Sequence, residues 1–247
     1  MPPPSRIVGR MALTPAQSAI LEQLRRHELL RRFIAEDLRT LVTHATVLTH
    51  DDRDTLFTQG DAGRTVLLVV HGYVKLSALT ASGREVVFDV VGPNDVFGEL
   101  AVLIDNPRAA TAVALAPCVL LAIDGRAFVD ALARSPEAMF WMIRLLGQRV
   151  SRITEQMTDG LDLPAPGRLA KALLQLAAPR SRPVKVGLQI NLALPQRELG
   201  GMTGLIRESI NKHLGAWRDA GWLSLSGRTI TLRDVGALRA LVRDAGQ

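Results

Sequence analysis

Residues 97–112 read FGELAVLIDNPRAATA, and they set one carboxylate, Glu99, and one guanidinium, Arg108, into an otherwise small and apolar run. An arginine offers a planar fork of donors that matches a phosphate. A glutamate offers an acceptor for a hydroxyl pair such as that of a ribose. Gly98 permits close backbone approach, and the short side chains of Ala109 and Ala110 leave their amides accessible. A ligand with a phosphate beside a ribose hydroxyl would use both charges, and a 3′,5′-cyclic nucleotide is such a ligand. The alternative is an ordinary Glu–Arg pair around the IDNP turn, which composition alone favours.

A second group of residues has spacing suited to a different chemistry. Leu199 and Gly200, then Gly204, then Leu205, Ile210 and Leu214 follow the pattern of two helices joined by a glycine turn. The run WLSLSGRTITL predicts a tight hairpin around Ser226 and Gly227, which would complete a winged helix. A second helix of this kind presents Arg207, Glu208, Ser209, Asn211 and Lys212 near its start. Arg and Lys suit guanine O6 and N7, and Glu accepts from cytosine N4. Arg197, Lys212, Arg218 and Arg228 are candidates for phosphates, which would make binding steeply salt-dependent. The competing reading of this helix is a solvated surface with an i, i+4 Glu208–Lys212 pair.

These residues need elements to position them. Residues 15–43 repeat apolar positions at helical spacing, in SAILEQLRRHELLRRF and AEDLRTLVTHA. From 45 to 124 short Val- and Leu-rich runs alternate with the turn signals QGDAG, HG, ASG and GPND, which predicts about eight strands of an antiparallel barrel or sandwich. A short helix is expected over 126–135, and a long one from Pro136. In the long helix Met139, Met142, Leu146, Arg149, Ile153 and Met157 form a coiled-coil-like seam, read as a dimer interface in preference to packing on the chain's own barrel. GLDLPAPG, 160–167, is the predicted hinge. Beyond it come a helix, RLAKALLQLA, and a polar linker, APRSRPVKVG. The expected fold class is thus α+β, with an N-terminal antiparallel β-roll, a long dimerisation helix and a C-terminal winged helix-turn-helix. Its expected divisions are an N-terminal extension (1–24), the β-roll (25–135), the dimerisation helix (136–161) and the winged helix (162–247).

Bulk composition agrees with two modules. The 247 residues carry a net charge of +6, unevenly spread. From Pro164 onward 13 Lys and Arg face 5 Asp and Glu, whereas the preceding part has 17 against 19. A basic C-terminal third beside a slightly acidic body points to a polyanionic partner. The single cysteine, Cys118, rules out an intramolecular disulfide and a Cys-rich metal site, and its apolar neighbours predict a buried, inert thiol. The opening MPPPSRIVGRMALT lacks the apolar core of a signal peptide, and no run is long enough to cross a bilayer. A soluble, cytoplasmic protein without membrane association is expected. Five scattered histidines match no metal spacing, and no nucleophile–base constellation appears, so an enzyme is not expected.

FGELAVLIDNPRAATAVA closely resembles the phosphate-binding cassette of cyclic-nucleotide-binding domains, with F-G-E-L-A followed by P-R-A-A-T. From about residue 25 onward the chain also resembles the Crp–Fnr family of bacterial regulators. The order of β-roll, cassette, long helix, Gly167-Arg168 hinge region and winged helix-turn-helix agrees throughout, and R-E-S-I-N-K is similar to that family's recognition helix. The resemblance implies that Gly98, Glu99, Leu100, Arg108, Ala109 and Ala110 hold a sugar-phosphate. It implies cAMP over cGMP, because Ala109 lacks a hydroxyl, and no metal, haem or iron–sulfur cluster. It places Arg149 near the phosphate and Thr154 at the adenine across a homodimer. Ile153 departs from the Thr or Ser usual in cAMP-responsive members. Implied partners are palindromic double-stranded DNA with a TGTGA-like half-site and, for an activator, RNA polymerase. Three functional readings follow: a cAMP-controlled DNA-binding regulator, a constitutive binder with an altered pocket, or a cyclic-nucleotide sensor acting on a protein partner.

Overall fold

The computed structural model describes residues 6–7, 27–190, 196–227 and 229–243. The chain divides into two compact units, residues 1–78 with 89–150 and residues 79–88 with 151–247.

The region from 46 to 124, whose residues 79–88 are counted in the second unit, forms eight strands, as the turn signals predict: β2 (Thr46–His50), β3 (Thr55–Phe57), β4 (Thr65–His71), β5 (Val74–Leu79), β6 (Glu85–Val91), β7 (Val96–Phe97), β8 (Thr111–Ala114) and β9 (Cys118–Asp124). A two-residue strand β1 (Arg6–Ile7) pairs with β2. One sheet runs β1-β2-β9-β4-β7 and the other β3-β8-β5-β6. The continuous apolar runs TVLLVV and CVLLAI have a simple cause. Side chains alternate across a strand, and here both faces are covered. Val66, Leu68, Leu121 and Ile123 face one cluster, shared with Phe33, Leu41 and Phe128. Leu67, Val69, Leu120 and Ala122 face the other, shared with Val74, Val91 and Phe97. Cys118 lies in this second cluster, where burial pushes its thiol pKa up to about 12 and makes it a poor nucleophile.

Helices close the unit. The sequence pattern over 35–43 becomes α1 (Ala35–His44), whereas the described part of the preceding pattern is only a turn and a 3-10 helix, Leu30–Arg32. Residues 18–26 of that pattern lie outside the described residues. A five-residue helix α2 (Glu99–Leu103) sits inside the cassette. Helix α3 (Gly125–Arg134) starts where Asp124 accepts the Ala127 amide at 2.9 Å, an N-cap that satisfies a first-turn donor. Helix α4 (Pro136–Asp162) follows directly.

The seam on α4 differs in part from the sequence reading. Met142 is only 2% exposed and packs, with Trp141, Leu145 and Leu146, into the first cluster. The exposed apolar residues of the helix are Met139, Phe140, Ile143, Val150, Ile153, Met157 and Leu161, so three positions of the predicted seam, Met139, Ile153 and Met157, are exposed. With Gly147 and Thr154 between them, Phe140, Ile143, Val150, Met157 and Leu161 keep the alternating three- and four-residue spacing, one residue along from Met142, Leu146 and Arg149. The β-roll takes one apolar face of the helix, and an adjacent face is left uncovered.

His27 anchors the start of the described fold. The Leu29 amide donates to its Nδ1 at 3.0 Å, so Nε2 carries the proton and donates to the Asn94 carbonyl at 2.7 Å. Burial pulls its pKa below the ordinary value, against the Asn94 carbonyl, Asp95 and Glu28. His50 is lowered likewise by burial, with Asp54 and Asp51 opposing. Both stabilise the fold as neutral rings. Their contribution is complete above the unfolded value of about 6.5 and declines as pH falls below it, because the unfolded chain takes up protons first. Thermal unfolding followed between pH 8 and 5 should show Tm falling below about pH 6.5, and His27→Gln should flatten that decline.

In the second unit, helix α4 ends at Asp162 and α5 (Ala165–Arg180) starts three residues later, with Pro166 in its first turn. The break is narrower than the predicted hinge and spans only Leu163 and Pro164. Helix α5 also extends into the expected polar linker, whose remainder begins with strand β10 (Ser181–Pro183). Strand β11 (Leu188–Ile190), helix α6 (Gln196–Thr203), helix α7 (Arg207–Asp219), the hairpin β12 (Leu223–Ser226) with β13 (Thr229–Leu232), and helix α8 (Val235–Arg243) complete it. The wing hairpin belongs to a four-stranded sheet, β10-β11-β13-β12.

Candidate ligand pocket and nucleic-acid interface

The cassette folds back on itself around Arg108. Gly98 ends β7 and precedes α2 with φ +74°, a conformation that an L side chain resists. An added Cβ there would lie 2.4 Å from Arg108 Nη1, so glycine is also required by space. The Gly98 carbonyl accepts from that Nη1 at 2.8 Å. Nη1 also donates to the Thr65 carbonyl at 2.9 Å, and Nη2 donates to Thr65 Oγ1 at 2.9 Å. The main chain of Arg108 is pinned as well: its amide donates to Asp61 and its carbonyl accepts from Gly60. The guanidinium carbon lies 4.3 Å above the Phe57 ring centroid, within cation–π range.

Arg108 is 6% exposed and Glu99 1%. Burial lowers the Arg108 pKa, and the charges of Glu99 and Asp61 oppose the shift. The simple alternative from sequence, a direct Glu99–Arg108 ion pair around the turn, is not the arrangement found. Glu99 is bound through Oε1 by Arg149 Nη1 of α4, and Arg149 Nη2 donates to the Val96 carbonyl. Glu99 Oε2 and Arg108 Nε are buried without a hydrogen-bond partner. Uncompensated buried polar atoms are costly and call for an explanation. An acceptor and a cationic donor left over on the two charged residues of one cassette suit a ligand that brings a hydroxyl and an anionic oxygen. Leu100 is 40% exposed, Ala109 is exposed and Ala110 half-buried at the rim. Ile153 and Thr154 lie one turn beyond Arg149 on α4, and both are exposed. Thr65, Phe57 and Val96 were not legible as cassette partners, because no local pattern links them to Arg108 or Arg149.

The helix-turn-helix has the geometry its spacing predicts. Gly204 has φ +69°, and its amide donates to the Gly200 carbonyl at 2.8 Å, ending α6. An added Cβ at Gly200 would lie 3.0 Å from the Leu205 carbonyl, so the small residue lets the turn close. Thr203 Oγ1 donates to the Leu199 carbonyl at 2.6 Å and accepts from the Leu205 amide at 3.3 Å. Leu199, Ile210 and Leu214 are essentially inaccessible, and Trp217 stacks on Trp222 next to the wing. This packing orients α7 so that Arg207, Glu208, Asn211 and Lys212 are exposed and Ser209 is half-buried. Arg197 is engaged by Glu198, with Nε donating to Oε1 at 2.8 Å, and Arg218 pairs with Asp219. Arg228 lies outside the described residues.

Among the described residues no group of three or more His, Cys, Asp or Glu is placed to hold a metal ion. Among them no helix is long and apolar enough to cross a membrane.

Comparison with known proteins agrees with this geometry. Residues 48–135 match the cyclic nucleotide-binding domain, and residues 167–241 match the Crp-like helix-turn-helix domain. A CRP-like cAMP-activated global transcriptional regulator of Mycobacterium tuberculosis is 31% identical over 180 residues, which cover 73% of this chain and 80% of that protein. A global nitrogen regulator of Nostoc is 31% identical over 205 residues, covering 81% of this chain and 92% of that protein. A solved structure of a CRP-family transcriptional regulator from Thermus thermophilus superposes with a TM-score of 0.65 at 27% identity, covering 81% of this chain and 96% of that one. The cassette, the winged helix and these likenesses converge: the chain belongs to the Crp–Fnr family of DNA-binding transcriptional regulators.

Proposed function

We propose that the protein is a homodimeric, sequence-specific transcriptional regulator whose DNA binding is controlled by a cyclic nucleotide, with cAMP as the effector. The observation that carries the effector reading is the pair of orphaned atoms, Glu99 Oε2 and Arg108 Nε, buried in one cassette. Glu99 Oε2 would accept a ribose hydroxyl, and Arg108 would hold the cyclic phosphate with the amides near Ala109 and Ala110. Gly98 and Leu100 shape the approach. Arg149 acts on Glu99, fixing the carboxylate through its other oxygen. Thr154 would meet the base across the dimer. The exposed stripe on α4 supports the second copy, since a long apolar face of coiled-coil spacing is stabilised by a matching helix.

In this reading residues 25–135 form the effector module, 136–161 the dimer helix and 162–247 the DNA module, preceded by an extension over 1–24. Arg207, Glu208, Ser209, Asn211 and Lys212 read bases, and Arg197 and Arg228 are the proposed phosphate contacts. Two symmetric α7 helices would occupy successive major grooves of a palindrome. The effector shifts the population toward the DNA-competent state by binding that state more tightly. No catalytic step is needed. The site of action is the cytoplasm, and an activator would also engage RNA polymerase.

Ile153 supports a second reading, because an isoleucine cannot hydrogen-bond a base amine: a constitutive DNA binder with an altered effector pocket. Fluorescence-anisotropy titration of a selected palindrome separates the two. Under cAMP control, saturating cAMP should tighten DNA binding by about five- to 150-fold, the span of ordinary allosteric coupling. Equal affinity with and without cAMP, on an intact dimer, would establish the constitutive reading instead.

A further inference from the structure

We propose that Ile206 is a specificity-determining residue that reads the C5 methyl group of a thymine in the major groove. The assignment rests on α7 being the base-reading helix and adds to it a contact of a different chemical kind.

Ile206 occupies the N-cap of α7 with φ −75° and ψ 153°, and no side-chain oxygen caps the helix there. Its side chain is 70% exposed. The other large apolar residues of the helix, Ile210, Leu214 and Trp217, are all buried. Leu205, the preceding residue, is already half-buried, so the turn does not need Ile206 to close its core. The position therefore lacks two ordinary justifications. An N-cap favours Ser, Thr, Asp or Asn, whose oxygen accepts a first-turn amide. An exposed position beside Arg207 and Glu208 favours a polar residue. A local rule broken without a structural gain marks a site where function selects the residue.

The surface that α7 meets supplies the gain. Residues at the start of a recognition helix lie against base edges. Those edges carry donors, acceptors and one apolar group, the thymine methyl. Arg207 and Glu208 answer the donors and acceptors. A β-branched side chain one residue earlier, held at the helix entrance by the Gly204 turn, answers the methyl. It enters the groove with a single stiff χ1, so little rotamer freedom is lost on contact. Uncapped amides at the same helix start remain available to the DNA and do not compete with the contact.

The test uses the full-length protein and a site selected from a randomised duplex pool, with cAMP present and with it omitted. Each thymine of the half-site is then replaced in turn by dU, which removes only the methyl. One thymine per half-site should be sensitive, with affinity falling about fourfold, the worth of one buried methyl group. Ile206→Ala should bind the thymine and dU duplexes equally at that position while keeping its preference at the base pairs read by Arg207 and Glu208. Ile206→Ser should lose the same sensitivity and melt no lower than the wild type, since it gains a capping oxygen; this separates a lost contact from a damaged fold. Sensitivity to dU that is the same in wild type and Ile206→Ala overturns the proposal, as does a selected site at which no thymine methyl matters. A pool that yields no preferred site overturns the base-reading role of α7 and this assignment with it.

Discussion

Arg108→Ala should abolish measurable cyclic-nucleotide binding and also destabilise the effector domain by about 2–4 kcal/mol, the range for losing hydrogen bonds to a charged group with their acceptors left buried. Both effects have one origin. The guanidinium joins β4, through Thr65, to the start of α2, through Gly98, and rests on Phe57. Removing it leaves the Thr65 and Gly98 carbonyls without this partner and opens space beside Gly63, where an added Cβ would lie 3.3 Å from Arg108 Cδ. For the ligand, the lost fork is the candidate counter-charge of the phosphate. Calorimetry with cAMP should detect at least a hundredfold loss of affinity, since a charge-assisted bidentate contact is roughly twice as strong as a neutral one. Urea denaturation of the same variant should report the stability loss. Arg108→Lys keeps the charge without the fork, and should recover part of the stability but little of the binding. A variant Arg108→Ala that binds cAMP normally would remove the cassette from the effector reading.

Arg149→Met should cost about 3–5 kcal/mol, the usual penalty for breaking a buried ion pair from one side. The partner left behind is Glu99, whose side chain is 1% exposed and whose second oxygen already lacks a hydrogen bond. Methionine fills comparable volume, so the loss would be electrostatic and not a cavity effect. Adding Glu99→Gln to Arg149→Met should restore much of the stability, because no uncompensated charge then remains. A double-mutant cycle by urea denaturation measures this coupling. Additive losses in the cycle would show that the pair is incidental to the fold. Because Arg149 also donates to the Val96 carbonyl next to Phe97, it ties the helix to the strand that leads into Gly98. The pair thus links the long helix to the cassette.

Much of this architecture is local and was therefore readable. Strand positions followed from alternation and turn residues. The helix-turn-helix followed from Gly204, whose φ of +69° only a glycine adopts freely, and from anchors at fixed helical spacing. The cassette was recognisable because its glycine, glutamate and arginine sit within one short stretch. Pairings across the chain were not readable. Arg108 meets Thr65 43 residues away, and Arg149 meets Glu99 50 residues away. No periodicity encodes such contacts; they exist only once two sheets and a helix have packed.

The long helix shows where the boundary lies. Its apolar residues at three- and four-residue spacing determined a helix with more than one apolar column, and neighbouring columns differ by one residue, about 100° of rotation. Sequence alone could not choose between them. Packing within the β-roll buries Met142 and partly buries Leu146, whereas Met139, Phe140, Ile143, Val150, Ile153, Met157 and Leu161 are exposed. So the sequence by itself determined the family and the fold class. Tertiary packing decided which residues of the long helix stay exposed, and which charge Glu99 answers. Burial is a property of the assembled surface, and a one-dimensional pattern specifies it only where a single face is apolar.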